Sequence, residues 1–231
     1  MSATQHIFDD GNALAEGLAD AVSSRLAAAI ETHGAASIAV SGGSTPKVFF
    51  RALSQRELDW AKVTVTLVDE RFVPPESDRS NHALVAANLL TNRATAANFV
   101  PLYHEAATAD DASALASAAT TGLAPFDVVV LGMGTDGHTA SFFPGGTRLK
   151  EALDPATPRG VITMEADGAG ETRLTFTFSS LHDAGFLVLH IEGNGKKEVL
   201  AQAELPGDEA EMPIRAILRR AASPLQVYWA P

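Results

Sequence analysis

An acid and an imidazole two residues apart, Asp136 and His138, stand in a glycine-rich loop that follows an apolar run. Residues 126–144 read FDVVVLGMGTDGHTASFFP, and the uninterrupted apolar residues at 128–131 are typical of a strand buried on both faces. Ligands of open α/β sheets bind at the carboxyl ends of the strands. The pair therefore predicts general-base catalysis by His138, with Asp136 orienting the ring or accepting a ligand hydroxyl.

The same loop also fits G-x-G-x-x-G through Gly132, Gly134 and Gly137. That pattern indicates a dinucleotide site only where it opens a helix within a βαβ unit. Here the Pro-Gly-Gly at 144–146 limits a helix to about two turns, so we reject the dinucleotide reading. Ser141 lies nearby, but no G-x-S-x-G motif surrounds it, which disfavours a serine hydrolase.

A second loop has the residue types of a phosphate site, and plain strand-to-helix capping is the alternative reading. Its residues are Ser41, Gly42, Gly43, Ser44 and Thr45, followed by Pro46. The glycines allow close approach of the backbone to a ligand, and the hydroxyls add donors. The helix predicted from residue 45, with Thr45 as N-cap, presents free N–H groups and a positive dipole end. The loop lacks the G-K-[ST] ending of a Walker A motif, so a nucleoside triphosphatase is not supported.

Three cations lie beside predicted strand ends. Arg71 follows Asp69 and Glu70 and could pair bidentately with a phosphate. Either acid could hold a sugar hydroxyl or simply neutralise Arg71. Lys196 follows a buried strand, and Arg173 opens the alternating segment RLTFTF. Any of these charges could instead be an ordinary surface charge.

The hydrophobic pattern alternates between helices and strands, which predicts an α/β fold with a mostly parallel sheet covered on both sides. The predicted helices span 9–33, 45–53, 81–91, 110–123, 196–203 and 213–220. The predicted strands span 38–40, 63–68, 126–131, 161–164, 173–178, 186–191 and 225–229. The first helix has an aspartate cap at 9 or 10 and Gly34 at its end. We expect one domain over 1–231, with a looser lobe around 144–170.

The composition excludes several classes of partner and of chemistry. The chain has 231 residues, a formal net charge of −11 and no cysteine. The acidity argues against nucleic acid or an acidic membrane as partner, and the missing cysteines exclude disulfides and thiol chemistry. There is no H-E-x-x-H motif, so no metal site is expected. No apolar run has the length of a membrane span, and residues 1–10 do not resemble a signal peptide.

We expect a cytoplasmic monomer that acts on a small molecule. The histidines at 6, 33, 82, 104, 182 and 190 are expected to be surface or packing residues.

Five motifs occur together in an order that resembles the 6-phosphogluconolactonases. They are SGGSTP at 41–46, VDERFVP at 68–74 with SN at 80–81, LGMGTDGHTASFFPG at 131–145, ETRLTFTF at 171–178 and GNGKKEVL at 193–200. The resemblance covers roughly residues 10–229. It implies a Rossmann-like open sheet, similar to that of glucosamine-6-phosphate deaminases and ribose-5-phosphate isomerases. It also implies hydrolysis of 6-phospho-D-glucono-1,5-lactone, in the oxidative pentose phosphate pathway, without a metal or organic cofactor.

The resemblance also implies roles for individual residues. His138 resembles the base that activates water, and Asp136 resembles its partner. The loop 41–45, Arg71 and Lys196 resemble the phosphate and substrate clamp, and Arg173 a further substrate contact. The chain departs from the family at His82, where an aromatic residue often stands, and at Lys197, which leaves open which lysine reaches the ligand.

Two alternatives remain at this point. A glucosamine-6-phosphate deaminase or isomerase moves a proton between carbons and needs an acid just after the histidine loop, where residues 141–145 offer none. A catalytically silent sugar-phosphate sensor would bind the same ligand without turnover.

Overall fold

The computed structural model describes residues 3–231. Its strands are β1 (Thr4–Ile7), β2 (Ala36–Val40), β3 (Val63–Leu67), β4 (Asp69–Arg71), β5 (Asn98–Phe99), β6 (Val128–Leu131), β7 (Val161–Met164), β8 (Arg173–Phe176), β9 (Phe186–Glu192) and β10 (Leu225–Ala230). Its α-helices are α1 (Gly11–His33), α2 (Lys47–Ser54), α3 (Asn81–Asn88), α4 (Ala109–Ala119), α5 (Leu149–Leu153), α6 (Phe178–Leu181), α7 (Asn194–Glu204) and α8 (Ile214–Arg220). Short 3₁₀ turns cover Trp60–Lys62 and Asn92–Ala96.

A seven-stranded sheet forms the centre of the described chain, in the order β1-β10-β9-β6-β2-β3-β5. Every pairing within it is parallel. The predicted α/β fold with an open, mostly parallel sheet is therefore confirmed. All residues of β2 and β6 are buried, as expected for strands covered on both faces. The edge strand β1 lies in an N-terminal segment for which the sequence predicted no element.

A second sheet was not predicted. β4, β8 and β7 form a separate antiparallel sheet in that order, so the strands predicted at 161–164 and 173–178 do not belong to the central sheet. The chain passes between the sheets at Val68, whose N–H donates to Val40 of β2 and whose carbonyl accepts from Phe176 of β8. The prediction was also wrong at Phe178, which begins α6 instead of continuing the strand.

The helix ends follow local chemistry. Asp10 caps α1 by accepting from the Ala13 N–H at 2.8 Å, and Gly34 ends it with φ +82°, both as predicted. The predicted start of α2 was wrong by one residue: the helix begins at Lys47, and Pro46 occupies its cap position. Thr45 lies in the turn that precedes the helix, one residue too early to cap it.

The core runs from the central sheet into the second sheet. Leu14, Leu18 and Leu26 of α1 are fully buried at spacings that put them on one face of the helix. Phe126, just before β6, meets Phe176 of β8 edge-on with ring centroids 5.3 Å apart. Within residues 3–231, no helix combines the length and the apolar character needed to cross a bilayer.

Candidate active site

A two-lobed cleft opens at the carboxyl edge of the central sheet. The first lobe encloses about 310 Å³ between the loops that follow β2, β6 and β9. The second lobe, of about 300 Å³, extends over His138 toward residues 167–169. The lobes share Asp69, Arg71, His138, Ala140 and Arg173. This volume is in the usual range for small-molecule sites.

Every residue predicted for the site borders this cleft. The first lobe is lined by Ser41, Gly42, Gly43, Ser44, Thr45, Arg71, His138, Arg173 and Lys196. Asp136 lines the second lobe. The imidazole of His138 and the loop at 41–45, called the glycine loop below, therefore face the same cavity. They do so because the carboxyl ends of neighbouring parallel strands meet at one edge of a sheet.

His138 is held by its own loop. Its ring Nδ1 lies 2.6 Å from Oδ1 of Asp136, and its backbone N–H donates to the same oxygen at 3.1 Å. A Cβ at Gly134 would collide with both side chains, so the pair depends on a glycine there. An imidazole that donates from Nδ1 keeps an unprotonated Nε2 when neutral, and that nitrogen can accept a proton.

The electrostatics keep the carboxylate ionised. Burial by itself would raise the pKa of Asp136, but the backbone N–H, charge and ring hydrogen bond of His138 outweigh it and hold that pKa below its ordinary value. Phe143 packs against the imidazole with centroids 4.7 Å apart. The ring is therefore oriented from two sides.

Hydrogen bonds connect the glycine loop to β6 and to the loop after it, which carries His138. The Ser41 N–H donates to the Val130 carbonyl at 2.9 Å, and the Ser41 hydroxyl accepts from the Gly132 N–H at 3.0 Å. Gly43 has φ +97°, which favours glycine. A Cβ at Gly42 would collide with the side chain of Asn81, so this glycine is required by a residue that sequence reasoning did not select.

Arg71 and Arg173 lie side by side on adjacent strands of the second sheet. They are directly paired in the antiparallel register of β4 and β8, where like charges normally destabilise the pairing. Arg71 donates to the Arg79 carbonyl at 2.7 Å and to Asn81 Oδ1 at 3.3 Å. The Nε atoms of both arginines are buried and have no partner among residues 3–231. Two facing guanidinium groups on one cleft wall are typical of an anion site.

Arg173 is the more enclosed of the two cations. Only 8% of it is exposed, it donates to the Ala169 carbonyl at 2.7 Å, and its guanidinium lies 5.5 Å from the Phe143 ring centre. Burial, opposed by Asp69 and aided by Arg71, lowers its pKa. Because Phe143 also packs on the imidazole, Arg173 and His138 contact the same aromatic ring.

The two acids beside Arg71 have different roles. Asp69 lines the cleft and accepts from the Ser141 hydroxyl at 2.5 Å. Glu70 points to the opposite face and is fully buried. It accepts the N–H groups of Arg71, Asn81 and His82 at 2.7–2.8 Å and the Ser80 hydroxyl at 3.0 Å. Burial raises the pKa of Glu70, and these donors offset it in part. Of the two acids considered for a sugar hydroxyl, only Asp69 borders the cleft, and Glu70 instead caps α3.

The structure separates the two adjacent lysines. Lys196 borders the first lobe and donates to the Met133 carbonyl at 2.7 Å. Burial lowers its pKa, and Asp136 partly opposes that shift. Lys197 lies over the indole of Trp229, with Nζ 3.9 Å from the ring centre. Lys196 is therefore the lysine at the cleft.

Sequence reasoning missed two titratable residues in the lining of the first lobe. His190 was expected to be a surface or packing residue, yet it borders the first lobe although only 4% of it is exposed. Its Nε2 lies 3.1 Å from Oε1 of Glu192, which also borders the lobe. A polar H-x-E pattern at the carboxyl end of an apolar strand was the available signal. His82, by contrast, packs on Phe99, and burial lowers its pKa.

Among residues 3–231, no three His, Asp or Glu side chains gather closely enough to hold a metal ion. The chemistry that the cleft offers with its own side chains is proton transfer by an oriented imidazole beside a group of cations. That combination suits attack of water on an anionic substrate.

Known proteins are similar to this chain over nearly its whole length. The family model for glucosamine-6-phosphate isomerases/6-phosphogluconolactonase matches residues 9–229. A 6-phosphogluconolactonase of Rhizobium meliloti is 78% identical over 232 residues, with 100% of both chains covered. One from Mesorhizobium japonicum is 55% identical over 97% of this chain and 94% of that protein. A crystal structure of a 6-phosphogluconolactonase from Shewanella baltica has a TM-score of 0.95 and 38% identity, covering 99% of this chain and 98% of that one.

The chain therefore belongs to the glucosamine-6-phosphate isomerase and 6-phosphogluconolactonase family. The resemblance drawn from the five motifs is confirmed.

Proposed function

We propose that this chain hydrolyses 6-phospho-D-glucono-1,5-lactone to 6-phosphogluconate, the second step of the oxidative pentose phosphate pathway. The observation that carries the proposal is the oriented His138–Asp136 pair, which lies in one cleft with the glycine loop and Lys196. Relatives at 78% and 55% identity are named 6-phosphogluconolactonases, which favours the lactonase over the deaminase and the silent sensor.

The proposed mechanism uses His138 as general base. Its Nε2 takes a proton from water while the water oxygen attacks the lactone carbonyl carbon. The carbonyl becomes a tetrahedral oxyanion, and the bond from that carbon to the ring oxygen then breaks. The imidazolium returns its proton to the departing ring oxygen, which becomes the hydroxyl of the product. A lactone is an activated ester, so one base and good positioning are chemically sufficient.

The cations of the cleft bind the phosphate and stabilise the oxyanion. We propose that the loop 41–45, Lys196 and Arg71 bind the phosphate, because they surround the first lobe. Arg173 contacts the substrate near the reacting carbon, since it lies on the same aromatic ring as His138. A guanidinium there stabilises the oxyanion, as preorganised donors do in other acyl transfers. Asp136 holds the imidazole in the reactive tautomer.

The test is to offer the lactone and glucosamine 6-phosphate separately and to follow acid production and ammonia release. We expect acid from the lactone and no ammonia. His138→Ala should lower kcat by about 10²–10⁴-fold. His33→Ala, at an exposed position in the last turn of α1, serves as the control and should keep wild-type turnover. Wild-type kcat in the His138 variant would refute the base assignment, and ammonia release would favour the deaminase.

We further propose that the enzyme acts in the cytoplasm as a monomer, without a nucleic-acid partner. A net charge of −11 and a pI near 5.0 oppose binding to polyanions, and the absence of cysteine fits a reducing compartment. The phosphate must therefore be attracted by the local cations of the cleft against the overall field.

A further inference from the structure

His190 and Glu192 form a second imidazole–carboxylate pair in the cleft, and the mechanism above does not use it. In the parallel register of β6 and β9, Leu131 pairs with Leu189, so His190 lies at the level of Gly132. A Cβ at Gly132 would meet only Ser41, at 3.9 Å. The space above Gly132 is therefore open, and the imidazole of His190 borders it from the neighbouring strand.

The pair is held between the beginnings of two helices. Phe49 of α2 meets the His190 ring edge-on with centroids 5.9 Å apart. The Glu192 carboxylate lies against Gly11, the first residue of α1, where a Cβ would come within 2.9 Å of Oε2. A carboxylate there benefits from the helix dipole. The imidazole is thus fixed beside the helix that follows the glycine loop.

The formal charges of the cleft do not balance a phosphate. Two carboxylates border the first lobe, Asp69 and Glu192. Three cations border it: Arg71, Arg173 and Lys196. With both histidines neutral, the first lobe carries a formal charge of +1, which only partly neutralises a ligand that brings about −1.5 to −2. Its affinity for such a ligand must rise if a group in the lining takes up a proton.

We propose that the His190–Glu192 pair binds one proton as a phosphate group enters the first lobe, so that the imidazolium is a further phosphate-binding group. Glu192 stabilises the imidazolium, and the protonated pair no longer presents a bare carboxylate to the ligand. The other titratable groups nearby are Tyr228, paired with His190 on β10, and Lys196 on α7. Tyr228 is already protonated near neutral pH. His138 and the deprotonated fraction of Lys196 are the competing acceptors, and both residues are unchanged in His190→Gln, so the comparison with the wild type isolates the share of His190.

The proposal rests on the proposed function for the identity of the natural ligand, and its test does not need turnover. Calorimetric titrations with 6-phosphogluconate at pH 7.5, in buffers of different ionisation enthalpy, give the number of protons taken up per site. Sulfate, a dianion that does not titrate in this range, is the second probe. We expect uptake approaching one proton in the wild type. His190→Gln should lose most of that uptake and about tenfold in affinity, whereas His33→Gln should match the wild type.

Equal proton uptake in the wild type and in His190→Gln would assign the proton to another group and overturn the proposal. Should His190→Gln not fold, Glu192→Gln provides the same comparison and should also reduce uptake. In the wild type, the ¹⁵N signals of the His190 ring should move to imidazolium values when sulfate is added; unchanged signals would contradict the proposal. Failure of the proposed function has a different signature, namely no acid from the lactone.

Discussion

At the scale of single residues, the orientation of His138 depends on three neighbours. Asp136 binds its Nδ1, Phe143 packs on its ring, and Gly134 leaves the space that both polar side chains occupy. The sequence predicted the acid and the imidazole because their spacing within one loop is local. Phe143 was not predicted as a contact, because a residue five positions away meets the ring only when the loop has folded back.

Loss of the positive charge of Lys196 should weaken the binding of 6-phosphogluconate at alkaline pH. Burial lowers its pKa, so its positive charge is present below that lowered value and is lost as pH rises through it, earlier than for an exposed lysine. We predict that affinity for 6-phosphogluconate falls as pH rises through this range. Calorimetric titration of the product measures it without interference from spontaneous opening of the lactone.

The matched variant for this prediction is Lys196→Arg, since arginine stays charged throughout. Its affinity should be nearly independent of pH over the same interval. Lys197→Arg, at the lysine that stacks on Trp229, should behave like the wild type. An alkaline fall that persists unchanged in Lys196→Arg would remove Lys196 from the phosphate clamp.

At the scale of elements, the loop after β6 should tolerate no side chain at position 134. Gly134→Ala would push the new methyl group into the His138 ring and the Asp136 carboxylate. We expect kcat to fall by about 10²-fold or more, because a small misplacement of a catalytic group is costly. Steady-state kinetics with circular dichroism separates this from unfolding. Gly195→Ala, where the methyl meets nothing within 4 Å, should retain activity, and wild-type kcat in Gly134→Ala would show that the loop adapts.

The beginning of α3 depends on one buried carboxylate. Glu70 accepts from three backbone N–H groups and one hydroxyl, and an amide in its place would turn a donor toward them. Glu70→Gln should lower the free energy of unfolding by about 2–4 kcal/mol, measured by urea denaturation. Glu57→Gln, at an exposed ion pair with Arg93, should cost less than about 1 kcal/mol. Equal stability of the two variants would mean that water replaces the lost cap.

The elements differ in how well the sequence predicts them. The ends of α1 follow from a capping aspartate and a terminal glycine, both of which act within one turn. The second sheet could not be predicted, because β4 has only three residues and finds its partner β8 about a hundred positions later. The facing of Arg71 and Arg173 is a consequence of that long-range pairing. The prediction for His190 was wrong because the sequence of one strand does not show whether a buried side chain also borders a cleft.

At the scale of the whole molecule, we propose that the two sheets fold as one domain, including the lobe expected around 144–170. The supporting contacts are the Val68 bridge between the sheets and the Phe126–Phe176 pair. Urea unfolding followed by far-ultraviolet and near-ultraviolet circular dichroism should give coincident transitions. An additional early transition would indicate that the second sheet unfolds independently.

The passage of the chain from the central sheet to the second sheet at Val68 also limits where residues can be inserted. Side chains alternate along β4, so one residue inserted between Leu67 and Asp69 would exchange the faces of Asp69 and Glu70. The carboxylate that now caps α3 would enter the cleft, and Arg71 would turn away from Arg173. The number of residues between the end of β3 and Arg71 therefore decides which carboxylate faces the ligand.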